Sequence, residues 1–517
     1  MKKTVCLLIG IAIMSKMVGF GRDVVLAYVY GATPVSDAYL ISQIIPRTLF
    51  SFVGIGLVTG YTPLFSQVIS NEGEKEGEVF TSQLINLLLL ITGAAAVLGI
   101  FWAEPLVRLF ASGFEGETLH TAVLFTRISL LGMLFFGLHH VLGGYLRLQG
   151  NFAAPALLGF PMNIVVMASM FLSLYYGITI LAVGSAVAAL AQFLFLVPFV
   201  REKGYRHRLV LDLTNPQLQA LFAMAVPVMV GITANQLNTV VDKTLASGLA
   251  VGGISALNYS YRLILFVQGL FGTSITTVMY PTISRLAAEG SRVELKGAVQ
   301  EAINALILLT VPASVGALVF AEPIVRLLFG RGAFDERAAL MTAAGLFFYS
   351  LGMLPYGLRG LLSKAFYSLQ DTKTPMKNAV IGVSLNIVLN VILSRYMGLA
   401  GLALATSMAV TVTACLLLFS LQQKIGSLDL PGLGRLLIKI GGASLVMVAA
   451  AYGLYRYLMA CGFTASLALL PAIGSGVLLY GVLVMVMGIK EVESLKKAVK
   501  LRFKNREERF SGEDPLD

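Results

Sequence analysis

Ala103-Glu104-Pro105-Leu106-Val107-Arg108-Leu109 recurs as Ala321-Glu322-Pro323-Ile324-Val325-Arg326-Leu327, 218 residues further along the chain. The same offset relates Tyr61-Thr62-Pro63 to Met279-Tyr280-Pro281. Leu131-Gly132-Met133-Leu134 returns as Leu351-Gly352-Met353-Leu354, and Asn163-Ile164-Val165 as Asn386-Ile387-Val388, at offsets of 220 and 223. Ordered matches at a slowly drifting offset are the mark of an internal duplication. Each copy holds six long apolar stretches, and an even number gives both copies the same orientation across a membrane. Parallel repeats of this kind place a substrate site between them, near the bilayer midplane.

Composition puts the duplication in a membrane. Of 517 residues, 57% are hydrophobic and only 13% charged, against roughly 25% charged in soluble domains. A helix needs about 20 apolar residues to span the hydrocarbon. We count fourteen such stretches, the first over 4–30 and the last over 464–488. Long continuous runs exclude the period-two alternation of a porin-like barrel. The expected fold is an all-α polytopic membrane protein with about 14 transmembrane helices: two parallel six-helix repeats plus a C-terminal helix pair. The expected parts are an N-terminal lobe over 1–205, a C-terminal lobe over 206–425, the pair over 426–489, and a basic tail over 490–517. Val492, Leu495, Val499 and Phe503 at helical spacing predict an amphipathic helix on the membrane surface for that tail,.

The net charge of +11 is topology rather than nucleic-acid binding. Most Lys and Arg fall in the N-terminus, in alternate loops such as Arg201 to Arg208, and in the tail, which is the positive-inside pattern. Both termini are therefore expected on the cytoplasmic side of a multi-pass membrane protein. Lys2-Lys3 precede an apolar run too long for a signal peptide, with no small-residue cleavage site,. Cys6, Cys415 and Cys461 show no metal or redox spacing,. The chain lacks G-x-x-x-x-G-K-[ST] and H-E-x-x-H, so neither a P-loop nor a zinc protease site is written in it. We expect a transporter, not an enzyme.

Charges inside apolar spans need a reason, because each costs at least ~2.5–3.5 kcal/mol near the bilayer centre. Lys16, Arg22, Arg47, Arg127, Lys243, Arg262 and Arg359 lie within or near the spans, against only Asp23, Asp37 and Asp242. Lys16, Arg22 and Arg47 open the first repeat, while Lys243 and Arg262 open the second. Symmetry would gather them around a cationic cavity that expects an anion, and the planar fork of arginine suits phosphate. The competing account is internal pairing that merely braces helices. Adjacent Arg22 and Asp23 point about 100° apart on a helix, which argues against their satisfying each other fully. A second polar set comprises Asp242, Asn386, Asn390 and Thr406, oxygen ligands that suit a hard cation. The same groups could instead form interhelical hydrogen bonds.

Ser15-Lys16-Met17-Val18-Gly19-Phe20-Gly21-Arg22-Asp23, followed by Ser36-Asp37-Ala38-Tyr39, resembles the start of the MurJ (MviN) family. Further matching stretches run from Gln236 to Ser247, Tyr259 to Leu263, Gly330 to Phe334, and Ala365 to Thr372, in the family's order. The resemblance implies a member of the MOP superfamily that flips lipid II, the undecaprenyl-pyrophosphate-linked peptidoglycan precursor, from the inner to the outer leaflet of the bacterial cytoplasmic membrane. It implies alternating access, a groove for the lipid tail along the last helix pair, and work alongside cell-wall synthesis proteins. It also implies that Arg22, Asp23 and Arg262 meet the pyrophosphate and sugar in the central cavity, with Lys16, Arg47 and Asp37 as further contacts. Lys16 stands where many members carry arginine, and the arginine expected in the second span falls on Phe50, one turn from Arg47. Asp242, Asn386, Asn390 and Thr406 resemble a sodium site of the family, with Asn390 in place of an acid. No other cofactor is implied. A flippase for another polyprenyl-linked saccharide would need the same anion cavity, whereas a multidrug/cation antiporter of the superfamily would favour acids there.

Overall fold

The computed structural model describes residues 2–488, so the amphipathic helix expected over 490–510 lies outside the described residues. Nineteen helices make up the described chain. In the first half these are α1 (Lys2–Tyr30), α2 (Pro34–Glu72), α3 (Glu74–Phe101), α4 (Ala103–Phe110), α5 (Gly116–Leu148), α6 (Ala153–Ala156), α7 (Gly159–Tyr176) and α8 (Thr179–Glu202). The second half carries α9 (Pro216–Leu249), α10 (Gly253–Leu270), α11 (Gly272–Ala288), α12 (Arg292–Val319), α13 (Ala321–Phe329), α14 (Glu336–Leu351), α15 (Met353–Ser368), α16 (Lys373–Met397) and α17 (Leu399–Ile425). The pair α18 (Leu430–Ala460) and α19 (Ala465–Val486) closes the described chain. By length and hydropathy, ten of the described helices can cross a membrane, or twelve if each bent pair is one span. The expected count of fourteen is thus not reached by that test, although α1 and α9 overlie the first and seventh expected spans.

The duplication is visible in the helices themselves. The quoted seven-residue motifs fold as the short helices α4 and α13. Arg108 pairs with Glu104 at 2.9 Å, and Arg326 with Glu322 at 2.9 Å, each one turn apart. Such exposed pairs add only a few tenths of a kcal/mol, so their value here is as a marker of the repeat. Likewise, Pro34–Phe52 and Gly54–Glu72 meet at 48° within α2. The break between α10 and α11 falls at Phe271, 218 residues beyond residue 53.

Local chemistry sets the helix starts. Proline begins α2 and α9, where its missing N–H costs nothing,. The Asn215 side chain accepts from the Gln217 N–H, and Asp429 accepts from Gly432, both N-caps that satisfy orphan donors.

The helices group into two compact units. Among the described residues, the first contains 2–266, 328–345 and 383–406, and the second contains 267–327, 346–382 and 407–488. In lipid, helices associate through close packing rather than water exclusion, so small residues set the contacts. In the first unit, a Cβ on Gly144 would sit 3.2 Å from the Tyr61 ring, and one on Gly132 would sit 3.2 Å from the Ala186 backbone. Tyr61, Phe65, Phe80 and Tyr145 form the aromatic centre of this unit. The second unit packs Leu306, Leu361, Phe366 and Leu421 in the same manner, and Tyr480 of α19 donates to the Leu308 carbonyl at 2.6 Å.

Candidate functional site

Every residue singled out for the site belongs to the first unit. Asp23 is buried on α1 and is held by two arginines at once. Arg22 donates to its Oδ1 through Nε at 3.2 Å and Nη2 at 2.8 Å. Arg262 of α10 approaches Oδ2 with Nε at 3.2 Å. Arg22 and Asp23 do pair, yet they do not satisfy each other fully, because Asp23 also takes Arg262. The long arginine side chain folds back across the 100° between neighbouring helix positions and spends two donors on one oxygen. That leaves the other oxygen for Arg262. One carboxylate thus serves two guanidiniums.

Arg47 of α2 shares a cavity of about 30 Å³ with Arg22, lined also by Tyr39, Gln43, Ser129 and Gln192. Its side chain is exposed to that space and makes no ion pair among the described residues. Phe50, where the resemblance expects an arginine, is buried against Phe136 and His140, with ring centroids 5.8 and 5.6 Å away. Position 50 fills the seam between α2 and α5. The charge one turn earlier faces the cavity instead. Lys16 is exposed, two turns before Asp23 and on the same helix face. Three guanidiniums and a lysine therefore stand against one carboxylate. Arg359 does not join them; it lies in the second unit, 4.9 Å over the Tyr356 ring.

Asp37 has a different setting from the one expected of a cavity residue. It is buried at the start of α2 and accepts from the Ser255 backbone N–H at 2.7 Å and from the Ser255 hydroxyl at 2.6 Å. It thereby serves orphan donors in the first turn of α10. Ser36 reaches the same hydroxyl at 2.9 Å, and the Tyr259 hydroxyl donates to the Gly31 carbonyl at 2.8 Å. Close backbone approach completes this seam. Gly252, at φ +78°, sits so near Ala32 that a Cβ would fall 1.9 Å from its carbonyl oxygen. Gly332, at φ +66°, meets the Tyr28 carbonyl in the same way at 2.2 Å, and Ala333 donates to that carbonyl at 2.8 Å. The turns after α1, α9 and α13 are thus sewn together, so the unit is closed at this end.

The second polar set is brought together as expected. Asn390 Nδ2 donates to Asp242 Oδ1 at 2.5 Å and to Asn386 Oδ1 at 3.0 Å. Asn386 Nδ2 reaches Thr406 Oγ1 at 3.5 Å. Asn238 Nδ2, one turn before Asp242 on α9, reaches Asp242 Oδ2 at 3.3 Å. The sequence reading missed Asn238, although its i−4 spacing from Asp242 was the available signal. Asn238 Oδ1 and Asn390 Oδ1 are buried with no hydrogen-bond partner. Two orphaned carbonyl oxygens beside a carboxylate are the donor set of a hard monovalent cation, so these residues fit sodium. Among the described residues, no cluster of three or more His, Cys, Asp or Glu suggests a transition metal.

The comparisons with known proteins agree with one another. A family profile described as "Lipid II flippase MurJ" matches residues 26–509. A probable lipid II flippase MurJ of Vibrio cholerae is 30% identical over 418 residues, covering 78% of this chain and 80% of that protein. A solved lipid II flippase MurJ in an inward closed conformation superposes with a TM-score of 0.80 at 27% identity, over 93% of this chain and 98% of that one. An inward-facing multidrug resistance MATE family transporter of the MOP superfamily gives a TM-score of 0.67 at 14% identity over 80% of this chain and 95% of that one, which speaks to the fold alone.

Proposed function

The chain belongs to the lipid II flippase MurJ family, and from that premise we propose that it carries lipid II from the inner to the outer leaflet of the bacterial cytoplasmic membrane. The observation that carries this reading is the sharing of Asp23 between Arg22 and Arg262. The sharing leaves an unbalanced cationic surface inside an apolar protein, which suits a pyrophosphate. In the proposal, Arg22 and Arg262 take the phosphates, Arg47 and Lys16 extend the positive field, and Asp23 fixes the geometry of both arginines. Asp37 acts through the seam by holding α2 against α10. Two six-helix lobes rock about the site, and the seam at Gly252, Gly31 and Gly332 parts when the cavity opens on that side. The polyprenyl tail stays in lipid along α18 and α19, whose Leu445, Leu467 and Leu478 are exposed. Both termini face the cytoplasm, and the cargo is handed to cell-wall synthesis proteins outside. A membrane potential negative inside favours outward movement of each headgroup charge by ~2.3 kcal/mol per 100 mV if the full field is crossed.

Arg22→Ala is expected to abolish rescue of cells depleted of their lipid II flippase while the protein still inserts, with lipid II exposed on the outer leaflet as the readout. Arg22→Lys keeps the charge but not the fork, and is expected to recover only part of the activity. Full exposure of lipid II by the alanine variant would sink this reading.

Sodium belongs to the same proposal. Asp242, Asn386, Asn390 and Thr406 would hold it, with Asn238 beside them, and it would supply charge balance for Asp242 and a tie between α9, α16 and α17. Purified protein is expected to melt higher in sodium than in choline at equal ionic strength, by the linkage of ligand binding to folding. Asp242→Asn should remove the difference. A sodium-indifferent melting curve for the unaltered chain would exclude the ion from this site.

A further inference from the structure

The segment joining the two repeats has a shape that its role as a linker does not require. After α8 it runs Lys203-Gly204-Tyr205-Arg206-His207-Arg208-Leu209-Val210-Leu211-Asp212-Leu213-Thr214-Asn215 and enters α9 at Pro216. It is strapped to α3. The Tyr205 hydroxyl and the Arg208 N–H both reach Ser82 Oγ, at 3.0 and 3.2 Å. Asn86 Nδ2 donates to two strap carbonyls, Arg208 at 2.8 Å and Val210 at 2.9 Å. The strap then returns, and Asn215 Nδ2 donates to Gln83 Oε1 at 3.0 Å.

Ser82 and Asn86 are one helix turn apart, about 6 Å along α3. The strap therefore climbs one turn of α3 at Arg208, whose N–H meets Ser82 and whose carbonyl meets Asn86, is still at Asn86 at Val210, and has come back by Asn215. The direction of the climb is set by the sequence of α3. That helix begins with Glu74, Lys75, Glu76 and Glu78, and after Asn86 it continues Leu87-Leu88-Leu89-Leu90-Ile91. The apex of the strap points toward the apolar end. At that apex Leu209 is 90% exposed, followed by Leu211 at 41% and Leu213 at 56%. Arg206 and Arg208 are exposed at its base, next to Arg201 and Lys203.

Part of the apex backbone is held from within the protein: Asn86 serves two carbonyls, and the Val210 N–H donates to the Arg208 carbonyl at 2.9 Å. Leucines at the tip and arginines at the base are the features of a segment resting in the interface of a bilayer. The strap joins the ends of α8 and α9, and this places it at the membrane surface by connectivity.

We propose that residues 203–215 form an interfacial anchor in which Leu209, Leu211 and Leu213 enter the headgroup–acyl boundary and Arg206 and Arg208 hold anionic phospholipid headgroups. The positive-inside pattern makes this the cytoplasmic leaflet. The partner is the leaflet lipid itself, recognised by its phosphate charge, and the proposal stands whether or not the chain carries lipid II.

The test uses the full chain with Cys6, Cys415 and Cys461 changed to serine and a spin label on Leu209→Cys. It is reconstituted in nanodiscs of phosphatidylcholine, alone or mixed with phosphatidylglycerol. Collision rates with oxygen and with a water-soluble paramagnetic chelate give the depth of the label. The label is expected to favour oxygen in both lipids, with an oxygen-to-chelate ratio several-fold higher when phosphatidylglycerol is present. Each basic residue near an anionic surface is worth about fivefold in partitioning. Arg206→Gln with Arg208→Gln should erase the phosphatidylglycerol effect and leave the value in phosphatidylcholine unchanged. Asn86→Leu should raise chelate access, because the apex loses its two donated hydrogen bonds. A label that favours the chelate in both lipids would overturn the insertion. A label at depth but indifferent to phosphatidylglycerol and to both arginines would overturn the headgroup assignment.

Discussion

An Asp23→Ala variant is expected to lose about 3–5 kcal/mol of stability, the usual cost of removing one partner from a buried ion pair. Here the effect has two sources, because one side chain answers two guanidiniums, Arg22 through Oδ1 and Arg262 through Oδ2. Without it, like charges face each other across α1 and α10 in a poorly solvated space. Thermal unfolding of the purified protein measures the loss. Asp23→Asn should fall between, since the amide carbonyl still accepts but carries no charge. A second readout separates electrostatics from packing. Added inorganic pyrophosphate should raise the melting temperature of the alanine variant more than that of the unaltered chain, because an anion can take the vacated position. An alanine variant as stable as the parent would show that the two arginines do not depend on Asp23.

The second large effect is expected at Gly252. Its backbone is left-handed at φ +78°, and a Cβ would fall 1.9 Å from the Ala32 carbonyl oxygen. Real Cβ atoms do not approach so closely, and neither neighbour is the loose end of a flexible side chain. Gly252→Ala must therefore push the turn after α9 away from the turn after α1, with strain at the non-glycine positive φ as well. The closed seam is expected to part. Spin labels on Pro34→Cys and Val251→Cys, both exposed positions, should report a longer and broader distance distribution than in the parent. Gly290, also at positive φ (+73°) but with nothing near its would-be Cβ, is the control. There alanine brings backbone strain without a clash and should leave the label distance unchanged. An unaltered distance in the Gly252 variant would mean that the seam absorbs a methyl group without opening.

The helical membrane class and the duplication were legible because both are written in local pattern. Apolar runs report burial in lipid, and the recurring Ala-Glu-Pro motif reports two copies of the same short amphipathic helix, α4 and α13. Which charge meets which was only partly legible. Arg22, Asp23 and Arg262 could be grouped by their rarity inside apolar spans, but the division of one carboxylate between two arginines depends on how α10 packs against α1. Helical angles alone showed that Arg22 and Asp23 would not satisfy each other fully, but they describe Cβ directions and could not show that the long arginine side chain still folds back onto one carboxylate oxygen. For Asp37 the resemblance implies a cavity contact; its service to α10 through Ser255 is visible only in the tertiary fold. Asn238 was missed because an amide on an apolar helix is common; its i−4 spacing from Asp242 was a weak signal, and its orphaned oxygen shows only in the structure.

The pairing of Asp37 with Ser255 has one further consequence. The two are separated by 218 residues, the offset of the duplication itself, so each occupies in its own copy the place the other occupies in the partner copy. Positions that correspond in this way can touch only where the two copies turn about a common line. Had the copies stayed identical there, two aspartates would confront each other at contact distance, and one would have to take up a proton or swing aside. The difference between aspartate and serine turns that self-encounter into donor and acceptor.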